Sequence, residues 1–115
     1  MDTTNRHYHC PVELTLDVIG GKWAVVLLAH LKQGPLRYGA LRRRTPGISE
    51  KVLVQRLREL EAKGLVARTE NDERPPGVEY RLTEEGLSLA PVLEALYGWG
   101  LQRAARTGMR IEPAG

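Results

Sequence analysis

Between Ser49 and Gly64 the chain carries a helix whose two ends and two faces are all marked, and no other segment limits the possible folds so strongly. Ser49 is a good N-cap for a helix over Glu50 to Lys63, because its hydroxyl oxygen can accept an amide hydrogen that the first turn leaves without a carbonyl. Gly64 supplies the left-handed residue that ends it. At about 100° per residue, Leu53, Leu57 and Leu60 share one narrow stripe, while Lys51, Gln55, Arg58 and Ala62 fall on the opposite side. One face has to be covered by the rest of the chain, and the other is left to solvent or to a ligand.

The flanking punctuation places the remaining elements. Pro11 opens a first helix, Val12 to Ile19, closed by Gly20 and Gly21. Residues 22 to 33 are apolar nearly all round, as in a helix at the centre of a small domain, and Gly34-Pro35 ends them. A short extended Leu36-Arg37 leads to a helix from about Tyr38 to Arg44, stopped by Pro46-Gly47. Leu65 to Glu70 and Val78 to Thr83 read as strands, and Asn71 to Gly77 between them reads as a projecting loop, or wing. Thr83 caps a last helix with Glu84 and Glu85 in its first turn, and Pro91 is expected to kink it. The pattern predicts a mainly α fold with a small β-hairpin wing: a winged helix-turn-helix.

With 115 residues the chain is expected to hold one domain, over residues 10–104, between a flexible N-terminal tail (1–9) and a flexible C-terminal tail (105–115). Trp23, Leu27, Leu31, Tyr38, Leu41, Leu53, Leu57, Leu60, Tyr80 and Leu82 suffice for its core. The outer helices remain apolar beyond that need, at Leu14, Leu16, Val18 and Ile19 and at Leu89, Val92, Leu93, Leu96 and Trp99. A two-fold homodimer built on Leu14, Leu16, Leu89, Leu93, Leu96 and Trp99 is the economical way to cover them.

Charge points to the partner. The window from residue 37 to 58 holds Arg37, Arg42, Arg43, Arg44, Lys51, Arg56 and Arg58 against Glu50 alone, whereas the whole chain carries only +3, so the remainder is net negative. A basic block on such a body suits a polyanion, although a solvated helix face has the same composition. The major groove of duplex DNA, about 12 Å wide, admits one α-helix and is read by long polar side chains near its N-terminus. Lys51 and Gln55 hold those positions; Arg58, a turn further on, reaches a base or a phosphate. Phosphate contacts are assigned to Lys22, Arg37, Arg42, Arg43, Arg44, Ser49 and Arg56, and to Arg74 at the wing tip. In a dimer the two reading helices would lie about 34 Å apart, which predicts a pseudo-palindromic operator.

Other classes find little support. The N-terminal residues show no apolar core of a secretory signal, and the longest apolar run, Trp23 to Leu31, is too short to span a bilayer, so a cytoplasmic protein without membrane contact is expected. No catalytic motif is recognisable; the nearest is a Cys10 thiol served by His7 or His9. Those three residues in one tail are a weak metal set, and neither metal nor cofactor is expected. His30 reads as a hydrogen-bonded core residue. Cys10, the sole cysteine, stands at the N-cap of the first helix, where the helix dipole favours a thiolate and Arg6 or a protonated histidine adds to it; a small buried hydrophobe is the equal alternative. A winged helix used as an architectural or protein-binding module is the competing reading of the whole.

Cys10-Pro-Val-Glu13, Asp17-Val-Ile-Gly-Gly-Lys-Trp23, Gly47-Ile-Ser49, Gln55-Arg-Leu-Arg-Glu-Leu-Glu61, Gly64-Leu-Val66, Pro75-Pro76, Val78-Glu-Tyr80 and Leu82-Thr83 occur in order within residues 10 to 100. In this the chain resembles the HxlR-type winged helix-turn-helix regulators. The resemblance implies a cytoplasmic, homodimeric, DNA-binding transcriptional regulator, by default a repressor, with its recognition helix at Glu50 to Lys63 and its wing at Asn71 to Gly77. Some members of that family sense oxidants or electrophiles through an N-terminal cysteine, which implies the same role for Cys10. The chain departs from the family pattern at Gly77, where a basic residue commonly follows the wing prolines and whose contact then falls to Arg74, and at Ala40, where an acidic residue is frequent.

Overall fold

The computed structural model describes residues 7–72 and 77–112; residues 1–6, 73–76 and 113–115, and with them Arg6 and Arg74, lie outside the described residues. Helices α1 (Pro11–Ile19) and α2 (Lys22–Lys32) lead into strand β1 (Leu36–Arg37) and helix α3 (Tyr38–Arg43). Helix α4 (Glu50–Ala62) is followed by strands β2 (Val66–Asn71) and β3 (Gly77–Leu82), then by helices α5 (Glu84–Leu87) and α6 (Ala90–Thr107). The strands form one antiparallel sheet in the order β1-β3-β2, with Leu36 opposite Tyr80 and Val66 opposite Leu82. This is the winged helix-turn-helix expected, with β1 added to the hairpin as a third strand.

Helix α4 obeys its punctuation. The Ser49 hydroxyl accepts from the Val52 amide at 3.1 Å. At the other end the Leu65 amide donates to the Leu60 carbonyl and the Gly64 amide to Glu61, each at 3.0 Å, the paired bonds of a left-handed helix stop. That stop consumes Leu65, so β2 starts at Val66 rather than Leu65. The Leu65 carbonyl in turn accepts from the Thr83 amide, which ends β3 at Leu82, and the Thr83 hydroxyl donates to the Gly64 carbonyl while its oxygen caps α5 by accepting from the Gly86 amide. Gly86 fits under this junction because it has no side chain: a Cβ there would collide with the Leu65 carbonyl oxygen.

Leu27, Leu28, Leu31, Leu41, Leu53, Leu57 and Leu60 are fully buried where α2, α3 and α4 meet the sheet. Each contributes about 1.5 to 3 kcal/mol by leaving water. Trp23 and Tyr38, expected inside, are half-buried against this core, and Ile48, Leu65 and Val66 join it. Thr45, in the turn between α3 and α4, is buried with its hydroxyl on the Leu41 carbonyl at 2.8 Å. The Lys63 ammonium bonds the Asp17 and Val18 carbonyls at 2.9 and 3.2 Å, tying the end of α1 to the end of α4.

Three expectations are corrected. Pro91 does not kink a continuous helix: the chain leaves the helix after Leu87 and re-enters at Ala90, so Pro91 sits in a first turn where its missing N–H removes no bond. Leu93 is not on an interface, because α6 packs against α2 and buries it in the chain's own core at 3% exposure; Ile19 is buried likewise, and Leu89 and Val18 are half-buried against that core. The C-terminal tail expected from residue 105 is helical as far as Thr107. At the other end, His9 donates its amide to Glu13 and Tyr8 its hydroxyl to Asp17.

Candidate nucleic-acid interface

With Leu53, Leu57 and Leu60 turned inward, α4 presents Lys51, Gln55 and Arg58 to solvent together. They line a shallow, open depression whose other walls are Glu50, Val54, Glu59 and Ala62. Among the described residues nothing covers this face with another part of the chain, and it carries a donor-rich set on a helix rigidly seated by its leucines.

The remaining cations are less alike than their shared charge suggests. Arg42, Arg43 and Arg44 are exposed at the end of α3, where they also favour the negative end of that helix's dipole. Lys22 is exposed at the start of α2 with its ammonium 4.6 Å from the centre of the Trp23 ring, and that ring reaches the turn at Gly47. Arg56 is half-buried and engaged by the Glu59 carboxylate. Ser49 spends its oxygen on the α4 cap. Arg37 is exposed, and its guanidinium extends along the sheet from β1 to Gly77, occupying the place where a side chain at 77 would stand. Arg37 thus brings positive charge to the wing from a strand outside the hairpin. Arg74, assigned the same task, lies outside the described residues.

Two neighbours steady the helix-turn-helix. The Tyr38 hydroxyl donates to Glu50 at 3.5 Å, and burial, with the Glu50 charge, pushes the phenol above its ordinary range. Burial holds the His30 imidazole below its ordinary value against the opposing pull of the Arg44 backbone, so the neutral ring is favoured.

Sequence reasoning missed Val54, Gly86 and the Arg37–Gly77 contact. Helical phase alone places Val54 within about 60° of Lys51, which was signal enough; the other two depend on non-local approach and left none. Cys10 is an exposed free thiol at the N-cap of α1. Leu14, Leu16, Leu96 and Trp99, expected on an interface, are all exposed, as are Val12, Tyr97 and Leu101. Among the described residues no group of three or more His, Cys, Asp and Glu side chains is placed to hold a metal ion.

Comparison with known proteins agrees with this geometry. A family model described as HxlR-like helix-turn-helix matches residues 18–107. The HTH-type transcriptional regulator YtcD of Bacillus subtilis is 46% identical over 101 residues, covering 88% of this chain and 80% of that protein. The redox regulator HypR in its oxidised form superposes with a TM-score of 0.76 at 47% identity, over 81% of this chain and 96% of HypR. The reduced form of the transcriptional regulator YodB from B. subtilis gives 0.70 at 34% identity, over 83% and 94%.

Proposed function

Since the chain belongs to the HxlR-like helix-turn-helix family, whose members are transcriptional regulators rather than enzymes, we propose that it binds a specific duplex operator as a homodimer and represses the adjoining gene. The observation that carries this reading is the outer side of α4, where Lys51, Gln55 and Arg58 stand exposed over a buried leucine stripe. Lys51 and Arg58 offer donors suited to guanine, and Gln55 the donor and acceptor suited to adenine. Lys22, Arg37, Arg42, Arg43, Arg44, Ser49 and Arg74 hold phosphates and fix the register, with Arg56 joining them when it leaves Glu59.

The homodimer is supported by the apolar surface of α1 and α6, where Leu14, Leu16, Leu96 and Trp99 are between 46% and 62% exposed. A second copy covers such a surface symmetrically. Work in the cytoplasm suits this role, and among the described residues no helix is long and apolar enough to cross a membrane. Selection of bound duplexes from a random pool tests the reading: it should enrich an inverted repeat with half-sites one helical turn apart, and enrichment of no sequence would favour an architectural module instead.

Cys10 gives the regulator an input. Its exposure at the mouth of α1, together with the redox regulator HypR among the structural relatives, supports oxidation or electrophile capture there as the inducing event. Peroxide or a quinone should release the native protein from its operator and leave Cys10→Ser bound; release of both would refute the role.

A further inference from the structure

One side chain on the outer side of α4 differs in kind from its surroundings. Val54 is half-buried, yet it does not join the partly buried apolar residues packed on the core, as Val52 two positions earlier does. It lines the open depression with Lys51, Gln55 and Arg58 instead. On a helix surface its neighbours are the residues three and four away on either side, of which Glu50, Lys51 and Arg58 line the depression and Leu57 is buried, and Gln55 adjoins it in sequence. A branched apolar group therefore stands beside the donors of Lys51, Gln55 and Arg58, with the Glu50 and Glu59 carboxylates in the same depression, on the face that meets the bases if this helix enters the major groove.

We propose that Val54 is a specificity-determining residue that reads the C5 methyl group of a thymine. The inference rests on the DNA-binding reading of α4 and adds to it the kind of base met at the centre of the contact. Base edges in the major groove carry acceptors and amino donors, and the thymine methyl is their sole apolar group. Valine against any other edge would strip water from a polar atom and return no hydrogen bond. Against thymine, the two apolar surfaces are buried together while Lys51, Gln55 and Arg58 take the acceptors of the bases alongside. The half-site should then hold a thymine flanked by purines in reach of those three residues.

The test uses the full chain and the duplex enriched from a random pool. Each thymidine is replaced in turn by deoxyuridine, which removes the methyl group and leaves the pairing edge unchanged. At one position per half-site the native chain should lose about fourfold in affinity, the effect of exposing one methyl-sized group. Val54→Ala, a substitution that a half-buried helical position outside the core accepts, should bind the thymidine and deoxyuridine duplexes alike. The proposal is overturned if no replacement lowers native affinity, or if the loss persists undiminished in Val54→Ala. Failure to enrich any sequence would overturn the sequence-specific reading of α4, and this proposal with it, a result distinct from specific binding that is blind to the methyl.

Discussion

Helix α4 gathers its large leucines, Leu53, Leu57 and Leu60, on a single stripe and buries all three inside its own chain, whereas α6 carries two stripes and buries one. Leu93 enters the core, while Leu96 and Trp99, with Val92 between them in phase and about a quarter turn round the helix from Leu93, stay at the surface at 49% and 62% exposure. The open face of α4 is thus left mainly with charged and hydrogen-bonding groups around Val54 and Ala62, and that of α6 with apolar groups whose contact with water is unfavourable. Each face implies its own partner and its own physics. Added salt screens the first association and does not weaken the second.

Substitution at matched leucines should break the symmetry between the two helices most visibly. Leu57→Ala, at a fully buried site, should cost about 2 to 5 kcal/mol in urea unfolding, and Leu96→Ala below about 1 kcal/mol. Equal losses would erase the distinction. Next in size, Trp99→Ala should weaken self-association by about 30-fold or more, read by sedimentation equilibrium, as expected of an exposed aromatic anchor. Gln55→Ala should reduce discrimination between cognate and altered operators by about 5- to 100-fold while moving unfolding by less than about 0.5 kcal/mol.

Smaller effects sharpen the wing. Arg37→Ala and Gly77→Ala should each lower operator affinity by about two- to fivefold irrespective of sequence, because one removes the guanidinium and the other displaces it. The double variant should be no worse than either single one; additive losses would show that the two residues act apart. Smallest is the pH effect of His30. Its folded pKa lies below the unfolded value of about 6.5, so its contribution is complete above that pH and is lost as pH falls through the lower folded value. His30→Gln should flatten this acid limb of stability.

The sequence made α4 readable because its caps and its single stripe agree, and the outward set followed from phase alone. α6 was harder for a physical reason: apolar residues surround much of it, so periodicity does not separate a core leucine such as Leu93 from a surface one such as Leu96. Strand limits moved by one residue because the stop of α4 takes Leu65, a demand set by Gly64 and felt across the sheet at Thr83. Gly86 and Gly77 showed nothing locally. Their need for a bare backbone comes from the Leu65 carbonyl and the Arg37 guanidinium, both distant in the chain.

The outer side of α4 is the proposed surface that tells one duplex from another. The direct measurement is the ratio of affinities for the enriched operator and a scrambled duplex of equal length, in the native chain and in the Lys51→Ala/Gln55→Ala/Arg58→Ala variant, with folding checked on both. The ratio should collapse towards one in the triple variant while a weak, salt-sensitive attraction to any duplex persists. A ratio unchanged by the three substitutions would contradict it and place recognition elsewhere on the molecule.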